Sequence, residues 1–134
     1  MELTLGATVA VIDGEKLRLF RNTGQAHAPK LVALQEPELS GDNKSSGGRH
    51  ASSAANPDDS RLEEDSFVAA VAAWLNTQAL GKGFDAIAIV AAPKALGELR
   101  KHYHKALAAK VVLELAKDLT GQSVANIEAA LAKA

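Results

Sequence analysis

The sequence predicts an α/β fold in which one mixed five-stranded sheet, an antiparallel β-meander followed by βαβ units, is packed with helices. Three observations predict it. The first third of the chain holds three short apolar runs separated by turn signals. A long segment with helical spacing follows a polar stretch, and beyond it an almost wholly apolar run alternates with further helical patterns.

Each element has its own warrant. Ala7 to Ile12 is short, apolar and β-branched, and it ends at Asp13-Gly14, a hairpin signal because glycine accepts the positive φ of the turn. Lys16 to Arg21 alternates polar and apolar side chains, the period of two of a half-buried strand. Asn22-Thr23-Gly24 makes the next turn, and Leu31 to Leu34 is a third strand fraying toward Pro37. From Asp58 to Leu80 the residues Leu62, Phe67, Val71, Trp74 and Leu75 recur at helical spacing, and Gly81-Lys82-Gly83 ends that helix. Its acidic start (Asp58, Asp59, Glu63, Glu64, Asp65) could hold a metal, but solvated carboxylates at the positive end of a helix dipole are the ordinary explanation.

Phe84 to Val90 is nearly continuous in apolar character, as a parallel strand covered on both faces tends to be. Ala91-Ala92-Pro93 leads into a single helix expected from Lys94 to about Leu107, with proline near its first turn. Val111 to Leu115 reads as a fifth strand, although its leucine and alanine surroundings leave a helix open. Ser123 caps a last helix through Ala132.

A chain of 134 residues fits one domain, here 1–134, with a flexible Gly/Ser-rich loop at about 40–57. The apolar content leans on Ala, Leu and Val, so the core is expected to be aliphatic. Net charge is −1, so bulk electrostatics draws the chain to neither nucleic acid nor membrane, and an RNA contact must come from a local patch. No DNA partner is expected. The absence of cysteine removes disulfides, thiol nucleophiles and thiolate metal sites. The first residues, Met1-Glu2-Leu3-Thr4-Leu5-Gly6, lack the pattern of a signal peptide, and no apolar run is long enough for a membrane span. A cytoplasmic location is the expectation.

Candidate chemistry is sparse. His102 and His104 form a His-Tyr-His string, but two residues apart on one helix they point about 200° apart and cannot grip one ion. Asp13, Asp85 and Asp118 fall at strand ends rather than on one strand face, so a two-metal nuclease is disfavoured. No metal or cofactor is expected. Lys94, Arg100, Lys101, Lys105 and Lys110 collect around the second helix, opposed mainly by Glu98, with Lys94, Lys101 and Lys105 on one stripe. They suit RNA phosphate, or else form a solvated face with its cations near the helix C-terminus.

The longest segment without a large apolar side chain, Ser40 to Pro57, contains Gly47-Gly48-Arg49-His50. Paired glycines permit close approach to a ligand, Arg49 offers a planar fork of donors for phosphate, and His50 titrates near neutrality. A polar linker whose glycines supply slack is the other reading. Gly-Asp-Asn-Lys-Ser-Ser-Gly-Gly lacks the terminal Gly-Lys-Ser/Thr of a nucleotide-binding loop.

The strings Gly47-Gly-Arg-His-Ala51, Phe84-Asp-Ala-Ile-Ala-Ile-Val-Ala-Ala-Pro93, Ala92-Pro-Lys-Ala-Leu-Gly-Glu-Leu-Arg100 and Ala116-Lys-Asp-Leu-Thr-Gly121, together with the β-β-β-α-β-α-β-α element order, resemble the bacterial host attachment proteins. That family is related to the central, catalytic domain of archaeal and eukaryotic peptide-chain release factors. The resemblance spans the chain from first strand to last helix. It implies a ribonuclease H-like sheet with strand order 3-2-1-4-5.

In release factors the loop after the third strand carries Gly-Gly-Gln and helps water attack the peptidyl-tRNA ester. Here Gly47 and Gly48 match, but Arg49 stands in place of the glutamine. Arginine only donates and always carries charge, which suits a phosphate better than an attacking water. The expectation is therefore a small cytosolic RNA- or ribosome-associated module, with the ribosome or tRNA as partner and without a firm catalytic assignment. The alternative is a noncatalytic protein-interaction domain that influences host-cell attachment indirectly through a protein partner.

Overall fold

The computed structural model describes residues 3–25, 27–37, 39 and 57–134, with side chains in the first helix from Glu64 onward. Its elements are β1 (Thr8–Ile12), β2 (Leu17–Asn22), β3 (Leu31–Ala33), α1 (Pro57–Leu80), β4 (Ile87–Ala91), α2 (Pro93–Arg100), α3 (Lys105–Lys110), β5 (Val111–Ala116) and α4 (Val124–Lys133). One five-stranded sheet runs β3-β2-β1-β4-β5, the order that the family resemblance implies. β1 pairs antiparallel with β2 and parallel with β4, β2 pairs antiparallel with β3, and β4 pairs parallel with β5. This mixed polarity fits the ribonuclease H-like arrangement.

β1 and β4 are buried along their whole length, because helices cover both faces of the central strands. On one face Phe67, Val68, Val71, Leu75 and Ala79 of α1 pack with Leu96 and Leu99 of α2, Leu107 of α3 and the sheet residues Ala10, Ile12, Ile87 and Ile89. On the other, Ile127 and Leu131 of α4 pack on Val9, Val11, Phe20, Ala88 and Val90. Alternation along β1 supplies both layers: Ala10 and Ile12 face one, Val9 and Val11 the other. Trp74, counted with the helix's apolar residues in the sequence, is only partly buried at the edge of the first core.

α1 ends as expected, but not through its glycines. The left-handed residue is Lys82, at φ 67, while the Gly81 and Gly83 amides bond to the carbonyls of Thr77 (2.9 Å) and Gln78 (2.7 Å). Gly83 lies against the Gln78 side chain, whose amide end would have to move aside for a Cβ there.

One expectation fails. The segment expected to form a single helix from Lys94 to about Leu107 is two helices, α2 and α3, separated at Lys101 to His104. Asn76 of α1 provides the physical reason. Its Nδ2 donates to the His102 carbonyl (2.9 Å) and its Oδ1 accepts the His104 amide (2.9 Å), so an amide side chain replaces the helical bonds. His104 then caps α3, its Nδ1 accepting from the Ala106 amide at 3.0 Å. α3 passes directly into β5, which resolves the strand-or-helix alternative at Val111 as strand.

Candidate functional site

The principal cleft lies where the parallel strands β1, β4 and β5 end. After β1 the chain turns toward β2, and after β4 it turns the other way into α2, so their C-terminal ends diverge. Open α/β sheets bind ligands at such a switch point. The cleft, about 850 Å³, is walled by Asp13, Gly14 and Glu15 of the first hairpin, Glu64, Asp65 and Val68 of α1, Ala92 to Lys101 at and along α2, and Asp118 beyond β5.

Two of its carboxylates, Asp13 and Asp118, are joined behind the wall by Thr120, which is buried. Thr120 Oγ1 lies 2.7 Å from Asp13 Oδ2 and 2.9 Å from Asp118 Oδ1. A hydroxyl has one proton, so it donates to one of the two at a time. Asp13 Oδ1 accepts the backbone amides of Glu15 (2.7 Å) and Lys16 (2.6 Å), which closes the hairpin turn. Burial raises the Asp13 pKa, but the Thr120 hydroxyl, the two amides and the Lys16 charge together outweigh it, so the carboxyl sits below its ordinary range. Gly14 lets this hairpin meet α1, since a Cβ there would come within 2.8 Å of the Glu64 side chain.

The wall is predominantly acidic. Asp13, Glu15, Glu64, Asp65, Glu98 and Asp118 face Lys94 and Lys101, and Lys101 Nζ is already 3.2 Å from Glu98 Oε1. Such a cleft repels a phosphate backbone. Among the described residues no group of three or more His, Asp or Glu is placed to hold a metal ion. Asp13 and Asp118, kept apart in the sequence reading as separate strand ends, meet at Thr120. Asp85 precedes β4, at the opposite end of the sheet.

The basic residues are not one stripe. Lys94, Arg100 and Lys101 belong to α2 and its C-cap, while Lys105 opens α3, so the break between the helices interrupts the row. Arg100 grips Glu114 of β5 through Nε (3.0 Å) and Nη2. Glu114 also accepts the Tyr103 hydroxyl at 2.8 Å. Burial pushes the Glu114 pKa up, but the Arg100 and Tyr103 hydrogen bonds and the Arg100 charge hold it below the ordinary value. Glu98 is likewise held low, by His102 and then by Lys101. Lys94 and Lys105 are exposed and make no ion pair with another described side chain. Gly47, Gly48, Arg49 and His50 lie outside the described residues.

The relationship of the chain is decided by its match to a family model over residues 6–131, from before β1 to the last turn of α4. The chain belongs to the bacterial archaeo-eukaryotic release factor family 12. This accords with the release-factor relationship implied by the sequence strings. A comparison with curated proteins gives no match. Among the described residues, no helix of this family member is long and apolar enough to cross a membrane.

Two structural residues escaped the sequence reading. Glu114 had a legible signal, a lone carboxylate inside the apolar run Val-Val-Leu-Glu-Leu-Ala, which must find a partner. Thr120 had a fainter one, as the second residue after an aspartate in a turn.

Proposed function

We propose that this family member is a small cytoplasmic RNA- or ribosome-associated module that binds rather than hydrolyses. The observation that carries the reading is the release-factor family match across nearly the whole chain. Two further features support it. Gly47-Gly48-Arg49-His50 stands between β3 and α1, the segment in which release factors carry Gly-Gly-Gln, and Arg49 suits a phosphate oxygen better than a water nucleophile. Lys94 and Lys105 supply exposed cations outside any ion pair among the described residues. Arg100 and Lys101 contribute less, because Glu114 and Glu98 already hold them. Any influence on host-cell attachment is then indirect, through what the module binds.

The test is sedimentation of the protein with ribosomes across a salt series. Arg49→Ala is expected to weaken association and to reduce the salt slope by about one counterion's worth. Lys105→Ala acts in the same direction, and Lys101→Ala acts less. Absence of co-sedimentation at low salt overturns the reading and favours a protein-interaction domain. Peptidyl-tRNA hydrolysis that disappears in Arg49→Ala overturns the noncatalytic part alone.

A further inference from the structure

We propose that the cleft at the ends of β1, β4 and β5 is a receptor for a basic peptide, an extended Lys- or Arg-bearing segment of a protein partner. Such a site is independent of RNA binding by the loop and Lys105. At about 850 Å³ the cleft has the size of a ligand pocket rather than of an ion site. It also lies at the switch point between β1 and β4, where open α/β sheets receive their ligands.

The chemistry of its surfaces selects the occupant. The floor is apolar, formed by Val68, Ala92 and Ala95. Above it stand Glu15 of the first hairpin and Glu64 and Asp65 of α1, which make no ion pair with another described side chain. Asp13 and Asp118, tied to Thr120, add to the negative field. Carboxylates over an apolar floor fit the aliphatic stem and cationic head of Lys or Arg. An acidic segment is repelled by the same walls, and a wholly apolar one would cover their charges without pairing them.

The α2 wall distinguishes a peptide from a simple amine. α2 starts at Pro93 with no side-chain cap on its N-terminus. The amides of Lys94 and Ala95 reach no acceptor among the described residues, and both residues line the cleft. The exposed Lys94 ammonium is a further donor at the same place. These donors call for carbonyl oxygens, which a peptide main chain carries and a polyamine lacks. Gly97 leaves space along this wall, since a Cβ there would meet nothing within 4 Å. One wall therefore accepts from cationic heads while the other donates to main-chain carbonyls.

The test is a titration of the full chain, followed by its amide NMR shifts, with acetyl-Lys-Ala-Lys-Ala-Lys-amide. Spermidine, of equal charge but without carbonyls, is the second probe. The peptide is expected to shift Gly14, Glu15, Asp65 and Gly97 saturably, and to bind about fivefold more tightly than spermidine, the worth of one added hydrogen bond. Glu64→Gln combined with Asp65→Asn should weaken the peptide about tenfold. Asp85→Asn, at the opposite end of the sheet, should leave it unchanged. Lys94→Ala should tighten spermidine by removing a like charge, but not the peptide. Spermidine binding as tightly as the peptide overturns the peptide assignment. Shifts that do not saturate, or an equal loss in Asp85→Asn, overturn the site itself. Co-sedimentation with ribosomes is measured separately, so failure here leaves the RNA reading standing.

Discussion

Replacing Asn22 by alanine should be the most damaging single polar change in the described structure. Asn22 is fully buried at the end of β2, and all its side-chain capacity is used. Nδ2 donates to the carbonyls of Leu3 (3.0 Å) and Thr4 (3.3 Å), and Oδ1 accepts the amides of Gly24 and Lys30, both at 2.9 Å. One amide therefore fastens the chain before β1 to the turn between β2 and β3, and fixes where the chain enters β3. Truncation leaves two donors and two acceptors short of partners at a site with little access to solvent. At about 1 kcal/mol per hydrogen bond, the loss is about 3–4 kcal/mol. For a domain of this size that lowers the Tm by roughly 10–15 °C.

Asn22→Asp separates this account from simple loss of volume. Its carboxylate still accepts from Gly24 and Lys30 but sets a buried charge against two carbonyl oxygens. It should be at least as destabilised as the alanine variant at pH 7 and partly recover near pH 4, where the acid can donate. Thermal unfolding by circular dichroism measures both. A loss below about 1 kcal/mol in Asn22→Ala would show that water replaces the amide and refute the reasoning.

Tyr103 is the sole tyrosine, so absorbance at 295 nm reports it alone. Burial, then its bond to Glu114, raises its pKa well above the ordinary value of 10.0. Its folded state should show no phenolate at about pH 11, and this stabilising contribution, complete below pH ~10, is lost as the pH rises beyond it. Thr120→Val should destabilise by about 1 kcal/mol at pH 7 after allowance for solvent at this open site. Because the Asp13 pKa is depressed, that contribution is present above the ordinary carboxylate range and is lost as the pH falls through the folded value. The gap between Thr120→Val and wild type in chemical denaturation should therefore narrow as the pH falls below the ordinary carboxylate range and Asp13 takes up its proton. Lys82→Gly should stabilise by about 0.5–1 kcal/mol in the same assay, since it relieves a left-handed residue at φ 67; a loss would refute the strain argument.

What the sequence displays is local. Period-two alternation in Lys16 to Arg21 and the apolar run after Phe84 report burial on one or both faces, and the structure pairs these strands in the expected order. The α2–α3 break is invisible in Lys-His-Tyr-His, which contains neither proline nor glycine. It is imposed by Asn76, 26 and 28 residues away from the groups it binds. A mid-helix asparagine among Ala72, Leu75 and Ala79 was the available hint, because such a residue needs a partner. The site was half legible for the same reason. Asp13 and Asp118 stand out as strand-end carboxylates, but Thr120 contacts Asp13 across 107 residues, and chain spacing carries no trace of that.

The same long-range pairing governs how strongly the proposed RNA reading can express itself. Four cations around α2 and α3 would suggest a phosphate surface worth four released counterions. Glu114, however, is buried enough to need Arg100, and Glu98 already serves Lys101 and His102. Moving either cation to a phosphate would strand a carboxylate beside the incoming polyanion, so the gain and the repulsion oppose each other. Lys94 also pays a penalty, since it borders the acidic cleft. That leaves Lys105 and Arg49 as the strongest contributors, with Lys94 reduced. At about 0.7 per contact on single-stranded RNA, the salt slope should be close to −2. A slope steeper than about −3 would require Arg100 and Lys101 to leave their partners, and Glu114→Gln would then tighten binding by releasing Arg100. If the slope stays near −2 and Glu114→Gln leaves affinity unchanged, Arg100 acts as the tie between α2 and β5, and recognition lies with the loop and Lys105.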